Sequence, residues 1–268
     1  MKIFLQLVTA TLILTNYAIS FAAQVDEEIS DDENAKRGIQ IVSERLKKEF
    51  PVSVEARIFF PSMDAHVKSH EVKIGDDAFN FNHFDLNSKV ATEYIFRYKN
   101  ISVDYLRLDS DSDGNFVNGF NFGGKMHNGA VNLQSDLHYI KFNVDREIIS
   151  MMGTKAAWNY GVTGIKWRGS VESSNGRVDE NYFMPVPTIG IALEMAIQPK
   201  VKVYTNISGM ILGGHGHLCD FEGGFAYMAD KNFSWKVGFR HIDTKLNWRS
   251  VHGDFKLNGF YTGLRADF

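Results

Sequence analysis

Four stretches carry side chains whose types and spacing could do chemistry. Asp109-Ser-Asp111-Ser-Asp113-Gly114-Asn115 follows the spacing of the first half of a calcium loop, where three carboxylates converge and the glycine makes the sharp turn. Position 12 of that loop would be Phe120, where a bidentate Glu is needed. Asp, Ser, Gly and Asn are also the residues of a hairpin tip. Calcium at Asp109, Asp111 and Asp113 therefore stands second to a plain tip, and no other cofactor is indicated. His215-Gly-His217-Leu-Cys219 sets two imidazoles and a thiol on one side of an extended strand, a soft-metal pattern without a fourth ligand. His241 and Asp243 share a face, as a hydrolytic base and its orienting acid would, but Thr244 does not and no serine follows at a useful spacing. Ser53, Asp136 and His138 lie on polar faces, which shows polarity and nothing more. There is no G-x-S-x-G, P-loop or H-E-x-x-H, so the expectation is a non-catalytic protein.

The elements that position these residues begin with a leader. Met1-Lys2, an apolar run and Ser20-Phe21-Ala22 have the pattern of a secretory signal peptide over 1–22. Residues 23–51 read as an acidic linker and one short amphipathic helix carrying Ile39, Val42, Leu46 and Phe50. The chain carries 29 basic and 32 acidic residues. Loss of the leader would remove Lys2 and no acid, taking the net charge from −3 to −4. A basic stripe for nucleic acid is absent. The single cysteine, Cys219, excludes an intramolecular disulfide framework.

From residue 52 onward the hydrophobic period is two. Val54, Ala56, Ile58 and Phe60 oppose Ser53, Glu55 and Arg57; Ile189, Ile191, Leu193 and Met195 oppose Thr188, Gly190 and Glu194; Phe233, Trp235 and Val237 oppose Ser234 and Lys236. The pattern predicts about ten antiparallel strands over 52–268, with eight or twelve as the bounds. Short connections alternate with long polar ones at 61–91, 109–129 and 168–187, provided 116–126 is a hairpin arm and not a membrane crossing. Aromatics such as Tyr98, Tyr139, Trp158, Tyr227, Trp235 and Phe268 end strands on the apolar face, where a membrane-interface girdle needs them. Apolar side chains are therefore expected to face lipid, and polar ones a lumen. The lumen is predicted to hold Glu55, Arg57, Glu93, Arg97, Asp104, Asp136, Glu194, Lys202, Glu222, Lys236, Arg240 and Arg265, with signs balanced for cross-lumen pairing.

A leader, about ten alternating strands and a last strand FYTGLRADF ending on Phe268 make the chain resemble a small Gram-negative outer-membrane β-barrel protein. The resemblance implies an all-β, antiparallel transmembrane barrel at the cell outer membrane. It also implies outer-membrane lipid and the barrel-assembly machinery as partners, with Phe268 as part of the insertion signal. The expected protein is monomeric. It is either a narrow, porin-like permeability element or a structural or surface-interaction protein with long acidic loops. A barrel enzyme modifying outer-membrane lipid and a secreted soluble β-barrel binder are the alternatives.

Overall fold

A computed structural model describes residues 52–69, 79–80, 90–151, 153–248 and 251–268. The expected leader (1–22) and the linker with its helix (23–51) lie outside the described residues. The strands are β1 (Val52–Ser69), β2 (Phe79–Asn80), β3 (Ala91–Tyr98), β4 (Ile101–Phe122), β5 (Lys125–Met151), β6 (Thr154–Ser173), β7 (Gly176–Gln198), β8 (Val201–Ile211), β9 (Gly216–Asp230), β10 (Phe233–Trp248) and β11 (Val251–Asp267). Apart from the two-residue β2, each strand pairs antiparallel with its sequence neighbours, and β11 returns to β1. The result is a closed ten-stranded barrel, as the alternation predicts.

The register fixes the shape of this barrel. Val52 faces Tyr98, then Ile101, Val144, Tyr160, Ile189, Gly209, Cys219, Asp243 and Lys256 follow strand by strand. The path returns to β1 at Asp64, twelve residues above its start. A stagger of this size over ten strands tilts them by about 40° and gives a wall radius of about 10 Å. Side chains from opposite walls can meet across such a space.

Two-residue turns at 99–100, 199–200 and 231–232 close one end of the barrel, together with the last residue. That is the periplasmic end in barrels of this type. At the other end, β4–β5 and β6–β7 run on as long hairpins closed by tight turns at 123–124 and 174–175. The long connections expected at 109–129 and 168–187 are thus mostly strand. The 116–126 segment is the hairpin arm that the strand parity requires. It turns at Gly123 and Gly124, both at positive φ (55° and 78°). Glycine alone takes this conformation cheaply.

Along single strands the polarity of the two faces reverses at one level. On β5, Ile140 and Phe142 are exposed on the outer face while Lys141 and Asn143 are buried inside. A few residues higher, Val131, Leu133, Leu137 and Tyr139 are buried inside, and Asn132, Gln134, Asp136 and His138 face out. The same reversal follows Tyr105 on β4, Gly164 on β6 and Phe60 on β1. Below it the wall has lipid outside and polar side chains inside; above it the wall is built like a soluble sheet, apolar inside.

The upper interior is one apolar core. Leu108, Leu133, Leu137, Trp167 and Val171 of the β4–β6 wall join Phe59, Leu218, Ile242 and Leu257 of the opposite wall. β3 and β8 are short, with β3 ending at Ala91 and β8 at Ile211. The two taller walls therefore close on each other above them as a sandwich. Tyr139 belongs to this core at 0% exposure, so it is not the girdle residue that its alternation predicts. The girdle itself is made by Tyr98, Trp158, Tyr227, Phe233, Trp235 and Phe268, all exposed on the outer face.

Candidate functional site: a sealed lumen and a charged outer rim

Inside the membrane level the lumen is filled by paired charges. Arg57 contacts Glu55 and lies 3.1 Å from Glu93 and 2.9 Å from Glu222. Lys236 Nζ is 2.8 Å from Glu55. Arg240 contacts Glu93 and clamps Asp220, with Nη2 2.9 Å from Oδ2. Lys141 Nζ donates to Asp220 at 3.0 Å and to Ser208 Oγ at 2.6 Å. Four acids thus meet four bases in one connected, neutral network, the condition under which charges are tolerated away from water. Tyrosines cover it: Tyr139 donates to Asp220 and Tyr261 to Glu222, while the guanidinium of Arg57 sits 4.5 Å from the Tyr261 ring centre. Tyr139 and Tyr261 are also core residues, so they join the charged layer to the apolar core above it.

The remaining sequence-predicted lumen residues fall below and beside this network. Glu194 and Lys202 pair at 2.5 Å, and Arg265 pairs with Asp267 at 2.7 Å, near the periplasmic end. Arg97 and Asp104 occupy inward positions on β3 and β4. Asp136 is different: it lies above the polarity reversal, on the outer face. The alternation misplaces it because the same alternate positions that face lipid below face water above. Lys141, central to the network, escapes the sequence reading for the same reason. Its signal is the run Ile140-Lys-Phe-Asn-Val144, whose apolar phase is opposite to that of Val131, Leu133, Leu137 and Tyr139.

The chemical candidates are dispersed. Asp109, Asp111 and Asp113 are spaced along the outer face of β4, about 7 Å apart at alternate positions. Asp109 pairs with Arg107 at 3.1 Å, and Asp113 accepts from Asn132 at 2.8 Å. Among the described residues no three His, Cys, Asp or Glu side chains are grouped to hold a metal ion. His217 and Cys219 lie on the outer face of β9, and burial pushes the Cys219 thiol up to about 12, away from a reactive thiolate. His241 bonds Asn258, whereas Asp243 lies 3.6 Å from His217. Ser53 is inside the barrel, and Asp136 and His138 are outside it.

The outer rim does hold a chain of hydrogen bonds. Tyr105 OH meets His138 Nδ1 at 2.8 Å, and His138 Nε2 meets Asp136 Oδ2 at 2.9 Å. Asp109 is the cross-strand neighbour of Asp136. Burial and the neighbouring Asp136 carboxyl raise the Asp109 carboxyl above its usual range. Arg107 lies beside both, 3.6 Å from Asp136. Arg107, Asp109 and Asp136 line one side of a groove of about 540 Å³ on the outer wall, with Arg168, Arg177, Asp179 and Glu180 on the other.

Comparison with known proteins bears on the architecture. No protein-family profile matches the chain, and no curated protein matches it in sequence. Among solved structures it is similar to the outer membrane protease OmpT from Escherichia coli, at 7% identity and TM-score 0.50, over 81% of this chain and 96% of that one. It also aligns with Neisserial surface protein A (12% identity, TM-score 0.31, 81% and 97% covered). A further alignment is with the attachment invasion locus protein Ail of Yersinia pestis (11%, 0.30, 79% and 98%). The chain has the outer-membrane β-barrel fold. With its even strand number, apolar outer band and short turns at one end, it is a barrel of the bacterial outer membrane. At 7% identity the likeness to OmpT extends to the fold alone.

Proposed function

We propose that this outer-membrane barrel is a sealed structural and surface-interaction protein, neither a pore nor an enzyme. The observation that carries the reading is the double closure of the lumen. Glu55, Arg57, Glu93, Lys141, Asp220, Glu222, Lys236 and Arg240 pair across it, and the apolar core of the upper walls sits directly on them. An ion entering from outside would have to cross a dry layer about as hostile to charge as a protein core. Among the described residues, the longest polar outer face is that of the β4–β7 hairpins. The barrel works as a monomer, surrounded by outer-membrane lipid and inserted by the assembly machinery through Phe268. Osmotic swelling of liposomes tests the reading: vesicles loaded with the folded barrel should stay as impermeable to small sugars and amino acids as empty ones. Swelling above that of empty vesicles would reject it.

A further inference from the structure

The step from lipid-facing to water-facing side chains is not the same all round the barrel. On β4, β5, β6 and β7 the row holding Tyr105, Ile140, Gly164 and Pro185 is followed, one outward position higher, by Arg107, His138, Lys166 and Phe183. On the opposite side the row Phe60, Phe260, Phe239 is followed by Ser62, Asn258 and His241. In this first row lysine and arginine occur on the β4–β7 side alone; one position higher the opposite side carries Lys256, cross-strand from Asp243. Arg168 lies one outward position above Lys166 on the same strand, opposite Asp136 and Asn181.

Neighbouring strands are about 4.8 Å apart and alternate residues of a strand about 7 Å apart. Arg107, Lys166 and Arg168 therefore form a triangle that long side chains can close around one anionic group. Two carboxylates also lie there, and both are occupied. Asp136 accepts from His138, and Arg107 lies 3.1 Å from Asp109 and 3.6 Å from Asp136. Lys166 and Arg168 make no ion pair among the described residues. Half-buried Lys166 and exposed Arg168, immediately above an apolar row that contacts acyl chains, sit where the headgroups of the outer leaflet must lie.

We propose that Arg107, Lys166 and Arg168 form a site for the phosphate of an outer-leaflet lipid headgroup, whose acyl chains pack on Tyr105 and Ile140 below. The lipid is bound on the outer wall, so the site is independent of whether the lumen conducts. Guanidinium and ammonium donors supply charge-assisted hydrogen bonds to phosphate oxygens, and Arg presents the planar fork that suits them. The groove continuing upward past Arg168 leaves room for a sugar attached to that phosphate.

The test uses the folded barrel in phosphatidylcholine vesicles, with lipid A, with dephosphorylated lipid A, or with inorganic phosphate in the buffer. The readout is the temperature at which the folded gel band is lost. Lipid A should raise this temperature by several degrees for the native protein, and the dephosphorylated lipid and inorganic phosphate should not. A Lys166→Gln/Arg168→Gln variant should keep its folded band in phosphatidylcholine alone and need about tenfold more lipid A for the same rise. His241→Gln, on the opposite side of the rim, should behave as the native protein. An equal response in the double variant, or an equal rise with the dephosphorylated lipid, would overturn the proposal. A rise produced by inorganic phosphate alone would overturn the assignment to a lipid.

Discussion

Arg240 holds Asp220 fork to fork, Nε 3.0 Å from Oδ1 and Nη2 2.9 Å from Oδ2, across the β9–β10 pairing in the middle of the lumen. Both side chains are almost wholly buried, at 2% and 3% exposure. The same guanidinium reaches Glu93 on β3, and Asp220 is shared with Lys141 on β5. One bidentate pair thus ties together strands from opposite parts of the wall.

Removing one member of this pair leaves a buried charge without its counterion. Arg240→Ala should lower stability by about 3–5 kcal/mol, measured by urea unfolding in vesicles. Asp220→Asn should cost at least as much as Arg240→Ala, because Arg240 retains Glu93 but Lys141 loses the acid it contacts. The double variant should be less destabilised than the two single changes added together, since the pair is coupled. Simple additivity would show that the two residues do not act as a pair.

The two zones of the barrel should respond separately to truncation. Trp167 is 8% exposed in the upper core, donates to Ser135 Oγ at 2.8 Å and stacks on Tyr182. Trp167→Ala should cost about 3–5 kcal/mol and speed amide exchange in the β4–β7 hairpins. Trp158, 47% exposed in the girdle, faces lipid. Trp158→Ala should leave exchange in those hairpins at its native rate.

Acid should loosen the tip of the β4–β5 hairpin. His127 is fully buried there with its Nδ1 2.8 Å from Ser173 Oγ, and burial lowers its pKa below the ordinary 6.5. A lowered histidine favours the neutral ring in the folded state. Above pH 6.5 neither state takes up a proton and the stability is intact. As the pH falls below that value the unfolded hairpin binds the proton first, and stability is lost. Amide exchange around Gly123 and Gly124 should therefore accelerate between pH 7 and pH 5, and His127→Gln should flatten that dependence.

Phe268 offers a test of assembly apart from stability. Its ring is 63% exposed, and its backbone N–H donates to Val52 at 2.8 Å where the barrel closes. Phe268→Ala keeps that bond. The variant should refold in vesicles as the native chain does, yet be assembled poorly in cells. Equal assembly would remove Phe268 from the insertion signal.

Much of this molecule can be read from its alternation, and what cannot has two causes, a face inversion and the stagger of the strands. Period two reports that a strand exists, not which face lies inward. Around Ile58, Phe96 and Trp235 the apolar face is the lipid face, as the alternation and the girdle aromatics predict. Along Val131, Leu133, Leu137 and Tyr139 the same alternation belongs to a soluble core. Asp136 and Lys141 are displaced in the sequence reading by that one inversion. The level of the membrane boundary is nevertheless written in the chain: it lies between Tyr139 and Ile140, where the apolar positions change phase. The pairing of Arg57 with Glu222 and of Arg240 with Glu93 is not legible, because it depends on the twelve-residue stagger that brings distant strands to one height.

The central claim is that paired charges and an apolar cap seal this barrel. Single-channel recording in planar bilayers tests it most directly, on the native protein beside a variant carrying Arg57→Ala, Glu93→Ala and Arg240→Ala. The native barrel should give no stable conductance steps at any voltage the bilayer tolerates. The triple variant should stay nearly silent too, because the dry core above remains. Stable, uniform steps from the native protein would contradict the claim and return the barrel to the pores.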